Sequence, residues 1–243
     1  MSYFIFNDVS SLELGLIVTE PIVRPTWGKE FLEIETVGSS AKFMQEKSNY
    51  NNSEFVIKTA ISEVEQNKIR NVYKSLNGSG KLWLSNYPEE FMNVIIQPLV
   101  PESKALYLAE IPIYVTAQPF AYAVNPLIMT VSQEGAVVRN QGTIFSYPEI
   151  KFTPTADSVT FTVNGQDFII SGLSQVGETS LIGHEITIDS EIHITYFIGS
   201  DGLKWAINDH TFNDYPRLGV GLNLVSHNGN AENATINVRE RFL

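Results

Sequence analysis

The sequence predicts a mainly β protein of two domains. The first, over residues 1–130, is a β-sandwich-like domain carrying one α-helix; the second, over residues 131–243, is an all-β sandwich. Apolar residues recur at every second position in many short runs, which is the period of a strand with one covered face. Helical spacing is convincing in one segment, Ser62 to Leu76. Beyond Val131, short β-forming runs are separated by glycines and polar turns, the pattern of a sandwich or barrel.

The elements follow in order. Phe4 and Phe6 fall at a period of two, and Leu14, Leu16 and Val18 continue it. Phe31 to Val37 alternates again and ends at the turn signal Gly38-Ser39-Ser40, and Phe55 to Ala60 reads as one further strand. Ser62 with Glu65 fits a capping box, and Ile69, Val72, Tyr73 and Leu76 then form one apolar stripe. Asn77-Gly78-Ser79-Gly80 stops the helix, because Asn and Gly tolerate left-handed backbone. Strands are expected at Lys81–Leu84, Met92–Gln97 and Glu110–Ala117; Pro112 belongs at an edge or bulge, since it cannot donate to a ladder. In the second half, strands are expected near 136–140, 149–153, 158–163, 167–171, 181–188, 193–198, 203–207, 218–224 and 234–241. Asn164-Gly165 is a two-residue hairpin turn, and Asp201-Gly202 is a second turn.

The chain has no cysteine, so disulfides, thiolate metal sites and cysteine nucleophiles are excluded. The formal charge is -11, and neither half carries a basic excess. A protein that grips phosphate needs one, so no sequence-specific nucleic-acid binding is expected. No basic leader followed by an apolar run opens the chain, and no apolar stretch approaches the ~20 residues of a spanning helix, so no membrane insertion is expected.

Catalytic, cofactor and metal sites are all expected to be absent. His184, His193, His210 and His227 share no metal-binding spacing; His184-Glu185 falls in an expected strand whose neighbours face opposite ways, and His210 and His227 fall in polar turns. Asp189-Ser190-Glu191 and Asp209…Asp214 do not match a calcium loop and suit turn capping. Glu89-Glu90 reads as a solvated loop, since adjacent carboxylates cannot flank one glycosidic bond. Asn77 to Lys81 ends a helix rather than opening one, the wrong polarity for a phosphate cradle. Aromatics at alternating strand positions usually belong to the core. Trp205, Tyr196 and Phe212, with Asp201, Asn208 and Asp214, nevertheless form one candidate set for saccharide contact. The alternative function is therefore a carbohydrate-binding β-sandwich module, whose ligand, under the resemblance that follows, would be host cell-wall saccharide.

A series of segments resembles the distal tail proteins of long-tailed, siphovirus-type bacteriophages. Phe4 to Asp8 with Leu14 to Val18 looks like that family's opening strands. Leu82-Trp83-Leu84-Ser85 with Tyr87 resembles the segment after its helix, and Pro119-Phe120-Ala121-Tyr122 the end of its first domain. Val138 to Gly142 and Pro148-Glu149-Ile150 resemble the opening of its second domain. Ile186 to Asp189, Tyr215 to Leu218, Gly221 to Asn223 and Ile236 to Arg241 resemble its closing strands.

The resemblance implies an N-terminal belt domain and a C-terminal galectin-like β-sandwich. It implies a virion structural protein at the distal end of the phage tail, assembled in the host cytoplasm, with no enzymatic activity and no cofactor. Six belts would close into a hexameric ring in the tail tip or baseplate, joining the major tail tube protein to the tail-tip hub or tail-associated lysin. The ring would support host adsorption, including receptor-binding or peripheral baseplate proteins. Residues 131–243 leave room for a single sandwich, so the resemblance is to a short form without an inserted carbohydrate-binding module. A ring of this kind is heterologous and needs two complementary faces. The candidates are edge strands of the belt and extended segments such as Trp27 to Phe31 or Phe43 to Tyr50.

Overall fold

The computed structural model describes residues 2–35, 37, 40–62, 66–100, 102–105, 108–177 and 179–243. Antiparallel strands dominate it, as the sequence predicts. The chain forms two compact units, Met1–Val124 with Leu243, and Asn125–Phe242.

In the first unit, one sheet runs in the order Val9–Ser10, Phe4–Phe6, Gly78–Leu84, Tyr87–Pro98, Ile113–Ala123, and Ser53–Ile57 also pairs with Ile113–Ala123. A second sheet orders Glu102–Ala105, Leu108–Glu110, Thr59–Ser62 and Leu16–Val18. The expected single strand from Phe55 to Ala60 changes sheet at Lys58, and the Thr59 carbonyl then accepts from the Ile111 amide while its hydroxyl donates to the Ile111 carbonyl. Pro112 sits at the matching crossing, just before Ile113–Ala123, where its missing N–H breaks no ladder and its carbonyl accepts from the Leu99 amide. Period-two burial builds the core: Leu82, Leu84, Met92, Val94, Ile96, Ile113, Val115 and Ala117 all point inward.

The helix spans Gln66–Ser75 and presses Val72, with Leu76 just beyond it, into that core. Tyr73 lies at the margin, where its hydroxyl donates to the Leu99 carbonyl at 2.6 Å. Gly78 ends the run at φ 114°, a conformation that favours glycine. Glu65, the expected capping partner of Ser62, lies outside the described residues.

Two features of this unit depart from expectation. Glu89 and Glu90 lie in the strand Tyr87–Pro98 rather than in a loop. Glu90 is ion-paired with Arg24, whose guanidinium also lies 5.0 Å from the Tyr87 ring centre. That partner is 66 positions away in the chain, so local sequence held no sign of it. Phe120 is the second, with φ 76° at a register shift between Ala117 and Ala121. A bulge with a left-handed non-glycine residue is uncommon and re-aims its side chain. Here the Phe120 ring meets the Tyr50 ring edge-on at 4.9 Å.

The second unit is a sandwich of two antiparallel sheets. One orders Ile128–Thr130, Ala231–Asn237, Glu149–Pro154, Ile186–Asp189, Ile194–Ile198 and Lys204–Ala206. The other orders Ala136–Asn140, Gly221–His227, Ser158–Val163, Gln166–Ser171 and Thr211–Phe212. Phe152, Val159, Phe161, Phe168, Ile170, Ile186, Ile188 and Ile236 fill the space between them. Asn164 and Gly165 both take positive φ, 51° and 82°, as the two-residue turn demands.

The Asn140-x-Gly142 pair has a structural cause. The buried Asn140 amide oxygen accepts from the Gly142 amide at 2.9 Å. A Cβ at Gly142 would come 2.4 Å from the Arg241 carbonyl oxygen, so only glycine lets these backbones meet.

Several expected strands are shorter or displaced. Between 181 and 188 only Ile186–Asp189 is strand, because Gly183 at φ 84° turns the chain; His184 and Glu185 are exposed outside it. The last long strand is Ala231–Asn237 rather than 234–241, ended by Arg239 at φ 51°. His227 closes the strand Gly221–His227, nearly buried against Phe161, instead of lying in a polar turn. His193 falls in a turn at φ 53°, its ring stacked on Tyr215 at 5.1 Å.

Candidate functional site

Strands Lys29–Glu35 and Lys42–Tyr50 form a two-stranded sheet of their own, paired with each other from Glu35 and Lys42 back to Lys29 and Tyr50. Its base is fixed. Trp27 is buried, the Asn51 amide donates to the Gly28 carbonyl at 3.0 Å, and Tyr50 packs on Phe120. Beyond the base the apolar side chains are open: Phe31 is 53% exposed, Phe43 60% and Met44 66%.

The register assigns these side chains to faces. Leu32 and Ile34 share one face with Phe43 and Gln45, and Glu30 and Lys47 make a 2.5 Å ion pair beside them. The opposite face carries Phe31 and Met44 among cross-strand ion pairs, Lys42 with Glu33 at 3.3 Å and with Glu35 at 2.8 Å, and Lys29 with Glu46. Hydrogen bonds to Glu35 and Glu33 raise the Lys42 pKa above its ordinary value. Exposed pairs of this kind contribute little to stability but do set register.

In the second unit, Arg239 binds Asp189 and Glu149 from the far end of the Ala231–Asn237 strand, with 2.7 and 3.0 Å bonds to the two Asp189 oxygens. Burial alone would push the Asp189 carboxyl up. The Arg239 hydrogen bonds and charge, with amides of Glu191 and Ile192, outweigh it and hold the group below the usual carboxylate range. The arrangement joins three chain segments, which makes it a clamp.

The six saccharide candidates do not converge. Trp205 and Asp201 stand together beside a cleft of about 550 Å³, with the indole Nε1 donating to Asp201 Oδ1 at 3.4 Å. Tyr196 is buried and pairs with Ala206, so it faces away from Trp205, with the Lys204 ammonium 4.4 Å from its ring centre. Asn208 is occupied within the fold: it accepts from the Thr195 amide and the Tyr215 hydroxyl and donates to the His193 carbonyl. Phe212 belongs to the other sheet, paired with Ile169, and it and the exposed Asp214 are not among the residues lining the cleft. Phe197, Gly199 and His184 line the cleft with Trp205 and Asp201. Phe197 was legible only through the register that sets it opposite Trp205.

Among the described residues, no group of three or more His, Asp or Glu side chains is placed to hold a metal ion, and no helix is long and apolar enough to cross a membrane.

No family model and no curated protein sequence matches the chain. Its fold is similar to that of SPP1 Dit (gp 19.1), described as a paradigm of the hub adsorption apparatus in phages that infect Gram-positive bacteria. The likeness covers 100% of both chains with a TM-score of 0.77 at 12% sequence identity. The mainly β fold of this chain is thus matched to that of SPP1 Dit from end to end.

Proposed function

We propose that this chain is a structural component of a phage tail tip, built into the hub of an adsorption apparatus. The carrying observation is the end-to-end likeness of fold to SPP1 Dit. In this reading residues 1–130 form a ring-building belt and residues 131–243 a galectin-like domain. Copies of the chain close into a six-membered ring that joins the tail tube to the tail-tip hub or tail-associated lysin and supports host-adsorption parts. The protein acts at the distal end of the virion tail after assembly in the host cytoplasm.

The long hairpin supports the ring. An isolated two-stranded sheet is at best marginally stable in water. Exposed apolar side chains in one contiguous patch mark a surface to be covered. Leu32, Ile34 and Phe43 form such a patch, and a heterologous ring supplies a covering face on the next copy. The acidic balance of the chain suits a channel through which DNA passes without adhering, since like charge repels phosphate at short range.

Native mass spectrometry of the full chain tests the assembly. The expected result is a discrete species of six chains, and co-purification with a tail-tube or tail-tip protein when the neighbouring structural proteins are co-expressed. A chain that stays monomeric with those neighbours present would overturn the reading. Acidic side chains are expected to outnumber basic ones on the inner wall of the assembled ring; a net basic lumen in a ring structure would contradict that part.

A further inference from the structure

The sandwich of the second unit stays open at one edge. Strand Lys204–Ala206 ends its sheet, and the cleft of about 550 Å³ lies there, with Thr179 and His184 also in its lining. That volume is within the range of small-molecule sites. Phe197 and Trp205 are ladder partners and share the face that points into it.

Trp205 is the unusual member. The residue is 52% exposed, and its neighbours orient the indole. Nε1 is held by Asp201, and the Asp201 carboxylate is itself held by the Leu203 amide at 2.9 Å. The ring lies against Gly199, where a Cβ would stand 2.8 Å from the indole Nε1 and 3.0 Å from Cδ1. A large flat apolar surface is thus presented to solvent in a preferred orientation, and orientation before binding lowers the entropy lost on binding.

Charge and polarity narrow the ligand. Among the described residues that line the cleft there is no lysine or arginine, and Asp201 contributes a carboxylate, so an anion is disfavoured. A purely apolar ligand would strip water from Asp201 and His184 without replacing their hydrogen bonds. A sugar ring meets both demands. Its C–H face is apolar and flat, and its rim carries hydroxyl donors and acceptors.

We infer that the cleft at the Lys204–Ala206 edge is a saccharide subsite, in which a neutral pyranose ring stacks on Trp205 and its hydroxyls bind Asp201 and His184. The six residues singled out by sequence reduce to Trp205 and Asp201, and His184, Phe197 and Gly199 join them. The subsite lies wholly in the second unit and does not depend on ring assembly, so either proposal can fail alone.

The chain has three tryptophans, so labelling with 5-fluorotryptophan gives three fluorine resonances, with Trp205 identified by its loss in Trp205→Phe. The labelled full chain is titrated to millimolar concentration with neutral hexasaccharides of glucose, galactose, N-acetylglucosamine and rhamnose. At least one sugar is expected to shift the Trp205 signal saturably while the Trp27 signal stays in place. Trp205→Ala and Gly199→Val, the second of which tilts the indole without removing it, are expected to weaken that sugar by at least about tenfold, and Trp205→Phe to retain part of the affinity. Thermal melts matching the parent chain identify the variants that keep the fold, and Asp201→Asn supplies a further lever if Gly199→Val does not. No saturable shift with any of the four sugars overturns the inference. So does saturable binding that survives Trp205→Ala unchanged.

Discussion

Two hairpins of this chain share a local pattern and meet opposite fates. In the hairpin Ser158–Val163 with Gln166–Ser171, the alternate residues Val159, Phe161, Phe168 and Ile170 are all buried. In the hairpin Lys29–Glu35 with Lys42–Tyr50, the alternate residues Leu32, Ile34 and Phe43 are at least 40% exposed. Strand period alone does not bury a side chain; a second layer does. The sandwich supplies that layer within its own unit, whereas in the proposed ring the long hairpin receives it from a neighbouring copy. On that proposal the first pattern is about folding and the second about assembly.

Apolar truncation separates the two. Phe161→Ala removes a ring at the centre of the sandwich core and is expected to cost about 4 kcal/mol of stability in the second unit, read by chemical denaturation. Phe43→Ala removes a similar ring from the hairpin and should leave the denaturation midpoint nearly unchanged. Equal losses at the two sites would break the comparison.

The Arg239 clamp ranks next. Arg239→Ala leaves Asp189 and Glu149 together without their cation, and a loss of about 2 kcal/mol is expected, below the value for a fully buried pair because solvent reaches the site. The pH dependence carries a definite sign. Asp189 has its folded-state pKa lowered from 3.8, so its contribution is fully present above that value and is lost as pH falls through the depressed one. Asp189→Asn should flatten the acid limb of the stability curve below about pH 4. An unchanged acid limb would sink this role.

A smaller effect is expected at Gly165, whose φ of 82° strains any side chain: Gly165→Ala should cost about 1 kcal/mol. Smallest in stability is the pair Leu32→Asp with Phe43→Asp, expected within about 0.5 kcal/mol for each monomer. The same double change is expected to abolish the ring in native mass spectrometry. Retention of a six-chain species by that variant would move the interface elsewhere.

The sequence made legible whatever was set by neighbours along the chain. Asn164-Gly165 declares its turn through backbone chemistry, and Val72 and Leu76 declare the helix face through spacing. The strand Ala136–Asn140 matched its expected bounds because both ends carry turn residues. Features set by distant partners were hidden. Glu90 read as loop because its anchor, Arg24, lies far upstream. Phe120 gave no sign of its left-handed backbone, which the Tyr50 contact accompanies. Register sorts the aromatic candidates: Tyr196 and Trp205 look alike in composition, and only pairing with Ala206 and Phe197 sets them on opposite faces. The alternation from Phe31 onward announced a strand correctly, but nothing local told that its apolar face would stay bare.

Hydrogen–deuterium exchange on the full chain, followed across the concentration range in which it assembles, tests most directly whether a second copy covers the long hairpin. Backbone amides of Lys29–Glu35 and Lys42–Tyr50 should exchange fast in dilute monomer and become protected as the ring forms, while those of Ser158–Val163 stay protected throughout. Assembly that leaves the hairpin amides exchanging as fast as in the monomer would contradict the assignment of this hairpin to the ring interface.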